Sequence, residues 1–195
     1  MGVKWFILGL ALTLMCFSGL LANPSRRVKI NKGKAEHVAC GIDVYDYKIS
    51  QVVAMYGNPT RLETYTSQKP KEIYSNKSYF WDLPDLKMEV SVMFFPNKTS
   101  SGFMEDGVYC VTLQRIKSQE KIGVTGAGLK LGDSLSEVTK IYGKQFLIKN
   151  VSGTKEKYLS ILWEDGTILL ARFDENNRIK RLSLLAKKEW NIKQN

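Results

Sequence analysis

The chain has 195 residues, 44% of them hydrophobic and 25% charged, with 29 Lys and Arg against 19 Asp and Glu and a net charge of +10. This is a globular composition, which excludes wholesale disorder and collagen-like or low-complexity architecture. Three Cys and one His exclude a multi-ligand Cys/His zinc site and a disulfide-dense scaffold.

The run from Trp5 to Ala22 is almost wholly apolar and follows Lys4. A basic residue, an apolar run and a small terminal residue make a secretory signal, so residues 1–22 are expected to be cleaved after Ala22. The alternative is an uncleaved membrane anchor, because 18 residues is the lower edge of a spanning helix. Arg26, Arg27, Lys29, Lys32 and Lys34 follow, although positive charge usually stays on the cytoplasmic side. Either way the chain is expected to be exported, to the periplasm, cell envelope or extracellular space. Residues 23–40 read as a basic leader, in which 23–35 offer little core. Cys40 and Cys110, the only cysteines beyond the signal, are the expected disulfide in an oxidising compartment. Closing a loop of about 70 residues would stabilise the fold by roughly 4 kcal/mol. Asn76, Asn97 and Asn150 each open an Asn-x-Ser/Thr sequon, which matters only in a host that glycosylates.

The middle of the chain resembles itself. Ile49, Ser50 and Val52 align without a gap with Leu135, Ser136 and Val138, and Met55-Tyr56-Gly57 aligns with Ile141-Tyr142-Gly143. In the second block Ser134 and Glu137 have capping-box spacing, and Leu135, Val138, Ile141 and Tyr142 share one helical face. Gly143 suits the left-handed residue that ends a helix. In the first block Ile49, Val52, Val53 and Tyr56 form the same face, and Gly57 and Pro59 stop it. Helices this short must bury that face on something.

Strands follow each block. Arg61–Thr66, Ser78–Trp81, Leu86–Phe95 and Val108–Ile116 read as strands after the first. After the second, Lys157–Trp163, Thr167–Phe173 and Arg178–Ala186 form a meander around the turns Glu164-Asp165-Gly166 and 174–177. The expected fold class is α+β, with two tandem repeats, each a short helical segment packed on an antiparallel sheet. Repeat 1 spans residues 41–117, a linker 118–127, repeat 2 residues 128–186, and a basic tail 187–195.

The block from Gly132 through Ser134, Val138 and Gly143 resembles an envelope-protein signature of Gly, Ser or Thr, Val, an apolar pair and Gly. It is similar to the SmpA/OmlA (BamE-like) lipoprotein domain of the outer-membrane barrel-assembly machine and to the repeats of β-lactamase inhibitory protein. The latter resemblance implies a tandem arrangement in which each repeat pairs a helical segment with an antiparallel sheet. About a dozen positions per copy carry it. Asp46 stands where the leading Gly belongs in the first copy, and Gln145 where a Pro often stands in the second. No functional residue carries over from either family.

Catalytic constellations are missing from the sequence. There is no nucleophile elbow, HExxH, P-loop or dinucleotide fingerprint, and no cofactor or metal is implied. Cys110 would need a base, and His37, the single His, lies three residues from Cys40 instead. Asp43 with Asp46, and Glu105 with Asp106, are the acid pairs a carboxylate-dependent hydrolase of envelope polymers would use; as acids in polar loops they read first as solvated turn residues. Lysines scattered over the chain suit contact with an anionic surface better than nucleic acid. The expected function is therefore a non-enzymatic protein-binding module, with inhibition of a secreted hydrolase as an alternative. Tyr45, Tyr47, Tyr65, Tyr74 and Trp81 are the candidate surface, because large aromatics anchor interfaces.

Overall fold

The structure, a computed structural model, describes residues 30–44, 46–66, 75–94, 108–116 and 122–186. The expected signal segment 1–22 and the expected tail 187–195 lie outside them. In chain order the first elements are β1 (Ile30–Asn31), β2 (Val38–Ala39), β3 (Ile42–Asp43) and helix α1 (Ile49–Tyr56). Four strands follow: β4 (Arg61–Thr66), β5 (Ser75–Leu83), β6 (Met88–Phe94) and β7 (Val108–Arg115). The short pair β8 (Ile122–Val124) and β9 (Lys130–Leu131) precedes helix α2 (Leu135–Tyr142). The last strands are β10 (Leu147–Asn150), β11 (Lys157–Trp163), β12 (Ile168–Phe173) and β13 (Ile179–Leu185).

The two similar sequence blocks do form the two helices, each of eight residues. Gln51 Oε1 accepts from the Lys48 backbone N–H at 2.9 Å, and Glu137 Oε2 from that of Ser134 at 2.7 Å, so both helices begin on a side chain that reaches back. Both end on a glycine at φ 77°, a backbone conformation costly for other residues. Val52 of α1 and Val138 of α2 are fully buried, as the helical face demands.

The expectation of two helix-on-sheet repeats is overturned. The described chain is mostly β and is built on one large mixed sheet with only these two helices. Its nine strands run in the order β1-β11-β12-β13-β7-β6-β5-β4, with β10 also on β11. The decisive pairing is β13 with β7, antiparallel from Arg181 opposite Gln114 to Leu185 opposite Cys110. Two separate meanders would each leave an apolar edge strand with unpaired amides and carbonyls. Joining them edge to edge satisfies both. The sheet is mixed because Ile30 and Asn31 run parallel to Leu162 and Trp163.

Both helices contribute to a core on one face of this sheet. Cross-strand register lines up Trp81, Val90, Leu113, Leu182, Ala171 and Leu159 as one buried row across six strands. The neighbouring row runs Tyr79, Val92, Val111, Leu184, Leu169, Ile161. Residues 30–40, in the expected basic leader, carry the short strands β1 and β2 and three buried side chains, Asn31, Glu36 and Ala39. The supposed linker also contributes: β8 pairs with β9, and Thr125 bridges to Ala39.

Candidate binding face

Side chains alternate along a strand, so the core rows leave every second residue on the opposite face, which neither helix covers. Register sorts that face into three rows. The first runs Ile30, Leu162, Ile168, Leu185, Cys110, Met93. The second runs Leu147, Ser160, Leu170, Ser183, Thr112, Ser91. The third runs Tyr158, Arg172, Arg181, Gln114, Glu89, Asp82.

The two halves of this face differ. On β6 and β7, Glu89, Ser91, Met93, Cys110 and Thr112 are buried. Thr112 Oγ1 and Ser183 Oγ are hydrogen-bonded across the β7–β13 seam at 2.9 Å. On β11, β12 and β13, Tyr158, Ser160, Leu162, Ile168, Leu170, Arg172, Arg181 and Leu185 all remain partly exposed. Ile30, at the edge, is 47% exposed. Accessible apolar side chains therefore collect on the second half.

Charges border the apolar row. Arg61 Nη2 donates to Glu89 Oε2 at 3.1 Å, and its guanidinium lies over the Phe80 ring at 4.0 Å. Burial raises the Glu89 carboxyl above its usual range, against the pull of Arg61. Arg172 Nε donates to Glu156 Oε2 at 2.7 Å, and Lys180 Nζ donates to the other oxygen of the same carboxylate. Burial alone would raise Glu156, but the hydrogen bonds from Lys180 and Arg172 outweigh it and hold the carboxyl low. A carboxyl lowered on folding adds stability above its unfolded pKa of about 4.3, and that stability is lost as pH falls through the lower folded value. Glu156→Gln should therefore lower stability at pH 7 by about 1–2 kcal/mol and by less at pH 2. Urea midpoints at the two pH values measure this; equal losses at both would contradict it.

Among the aromatic candidates read from the sequence, the structure places Trp81 and Tyr47. Trp81 is no surface residue: it is 1% exposed in the core row, and its Nε1 donates to the Gly57 carbonyl at 2.9 Å. Tyr47 packs half-buried against the same core, away from the helix-free face. Tyr65 falls in β4, where only its backbone is described, opposite Asn76. Tyr45 and Tyr74 lie outside the described residues, as do Asn97, Glu105 and Asp106. Asn150 is exposed at the end of β10.

Cys40 and Cys110, the pair expected to bridge, stand as separate thiols in this structure. The sheet separates them. Cys110 Sγ sits 3.7 Å from Thr112 Oγ1 on the helix-free face, whereas Cys40 packs against the core on the other side. Burial pushes the Cys110 thiol up to about 11 and raises Cys40 as well. Asp43 and Asp46 form a turn: the Asp46 N–H donates to Asp43 Oδ1 at 3.3 Å. Among the described residues no group of three or more His, Cys, Asp or Glu is placed to hold a metal ion, and no helix is long and apolar enough to cross a membrane.

A cleft of about 610 Å³ lies between residues 31–38, the turn at 126–127 and the end of α2. Glu36, Tyr142 and Trp163 line it, with His37 at the rim, where His37 Nε2 and Asp165 Oδ2 are 2.6 Å apart. Glu36 has no acceptor capacity left for a ligand. Its Oε1 accepts from the amides of Val38 and Gly126, and its Oε2 from the amide of Ala127 and the Tyr142 hydroxyl. This carboxyl fastens the N-terminal segment to the fold.

No family model matches the chain, and no curated protein matches it. Among solved structures it is similar to a DUF4309 family protein (YjgB) from Bacillus subtilis subsp. subtilis str. 168. The identity is 13% and the TM-score 0.48, over 75% of this chain and 83% of that one.

The residues of the accessible face were not singled out by aromatic content, which pointed to the first half of the chain. The available signal was the doublets Ile161-Leu162, Leu169-Leu170 and Leu184-Leu185. Two adjacent apolar residues in a strand place one on each face.

Proposed function

We propose that the chain is an exported, non-enzymatic protein-binding module whose partner packs on the helix-free half-face of β11, β12 and β13. One observation carries this reading: the cross-strand row Ile30, Leu162, Ile168, Leu185, with Leu170 beside it, is apolar and partly exposed on the face opposite the core. An antiparallel sheet covered on one side ordinarily turns polar residues outward. A contiguous apolar strip bordered by hydroxyls and charges has the make-up of a protein interface, a dry centre with a polar rim. The apolar segment Trp5–Ala22 supports export, and the net charge of +10 supports approach to an acidic partner or anionic envelope surface.

Leu170→Arg tests the reading. The full chain and the variant are each used to capture the partner from the host's envelope and secreted fraction after cross-linking. The variant should fold with an unchanged melting temperature and lose at least tenfold in capture. Lys140→Glu, at an exposed position of α2, should capture as the parent does. Equal capture by Leu170→Arg and the parent would contradict the assignment.

A further inference from the structure

Arg172 and Arg181 stand directly opposite each other on β12 and β13, on the helix-free face. Like charges at directly opposed positions of an antiparallel pair repel. Arg172 has compensation, from Glu156 and from the Tyr158 ring, whose centroid is 5.3 Å from its guanidinium carbon. Arg181 has less: among the described residues no hydrogen bond or ion pair reaches its side chain, its Nε is buried without an acceptor, and only longer-range interactions, that with Glu89 among them, favour its charged form. Burial, and then the charge of Arg172, lower its affinity for its proton. The next acid along the row, Glu89, is two strands away beyond Gln114, roughly 10 Å at ordinary strand spacing, and is already engaged by Arg61.

An arginine on a solvated strand normally carries its head into water along its own aliphatic stem. A guanidinium whose Nε is buried and unpaired is instead a cost to the fold. We propose that Arg181, with Arg172 beside it, is the seat for one carboxylate of an acidic side chain on the protein partner. This rests on the binding face described above and specifies what it recognises. The guanidinium fork matches the two oxygens of a carboxylate. Glu89 and Glu156 flank the seat on either side, so the surroundings accept one negative charge and disfavour a polyanion. Leu170 and Ile168 lie two and four residues from Arg172 on the same face of β12, about 7 and 13 Å away along the strand. The partner segment should therefore carry its acid two to four extended residues from an apolar side chain.

The probe is sodium acetate, added to the full ¹⁵N-labelled chain at constant ionic strength set with chloride. Saturable amide shifts centred on Arg172, Arg181 and Ser183 are expected, lost in Arg181→Gln and kept in Arg115→Gln, whose guanidinium is paired with Asp174 elsewhere. Arg181→Gln should melt no lower than the parent, because it removes a charge that has no hydrogen-bonded or ion-pair partner and whose Nε is buried without an acceptor. It should also weaken partner capture at least tenfold, and Arg181→Lys should not restore capture, since an ammonium lacks the fork. Inorganic phosphate and phosphatidylglycerol vesicles form two further arms. Shifts with either of these but not with acetate would overturn the proposal in favour of phosphate or lipid binding. No shift in any arm, or a large fall in the melting temperature of Arg181→Gln, would overturn it outright. If Leu170→Arg abolishes capture while Arg181→Gln does not, the face stands and the carboxylate seat falls. If acetate binds but no partner is captured by the parent, the seat stands and the protein-binding reading falls.

Discussion

Glu36→Ala is expected to lower stability by about 3–5 kcal/mol, a large fraction of what a domain of this size possesses. Glu36 is 5% exposed and accepts four hydrogen bonds, from the amides of Val38, Gly126 and Ala127 and from the Tyr142 hydroxyl, at 2.7–3.1 Å. Truncation leaves all four donors without their acceptor. The loss extends further, because the Tyr142 hydroxyl is also 2.8 Å from Thr125 Oγ1, which accepts from the Leu129 amide. The N-terminal segment would then detach from the turn at 125–128, taking β1 from the sheet edge. Tyr142→Phe should cost only about 1 kcal/mol, since the three amides keep their acceptor. Gly126→Ala should behave like Glu36→Ala, because its new Cβ would lie 2.8 Å from Glu36 Oε1. Urea unfolding of the three variants gives the order; a Glu36→Ala loss below that of Tyr142→Phe would show that the clamp is not structural.

Trp81→Ala is expected to cost about 3–5 kcal/mol and to act on folding rather than binding. The ring is buried among core residues, with Tyr56 and Tyr79 at 6.3 and 6.4 Å between centroids. It joins α1 to the sheet through the hydrogen bond from Nε1 to the carbonyl of Gly57, the residue that ends α1. Trp81→Phe keeps most of the packing and loses that bond, for about 1–2 kcal/mol. The check is a denaturation series with partner capture measured on the fraction that remains folded. A Trp81→Ala protein with parental stability and abolished capture would return this residue to the surface role its aromatic character suggested.

Much of the local structure was legible in the sequence because short-range physics dictates it. The periodicity of Ile49, Val52, Val53 and Tyr56, and of Leu135, Val138, Ile141 and Tyr142, matches the two helices, and Gly57 and Gly143 end them. The alternation in Lys157–Trp163 gave that strand its observed bounds. Long-range pairing was not legible. Nothing local in Cys110–Gln114 or Arg181–Leu185 specifies that these segments meet, and that one contact turns two expected sheets into one. The same limit governs the two cysteines: strand parity sets Cys110 on the helix-free face, and the turn after β2 packs Cys40 against the core. The role of Glu36 was equally hidden, since three of its four donors lie at least 90 residues away. Aromatic content does not separate core from surface positions, and Trp81 occupies a core position of β5.

The most direct measurement is photo-cross-linking in the host cell, with a photoreactive side chain placed at Leu170 in one version of the full chain and at Lys140 in another. A binding face on β11, β12 and β13 predicts one discrete protein adduct from position 170 and none from position 140. Adducts from position 140 alone, or from neither position while the protein is folded, would contradict it.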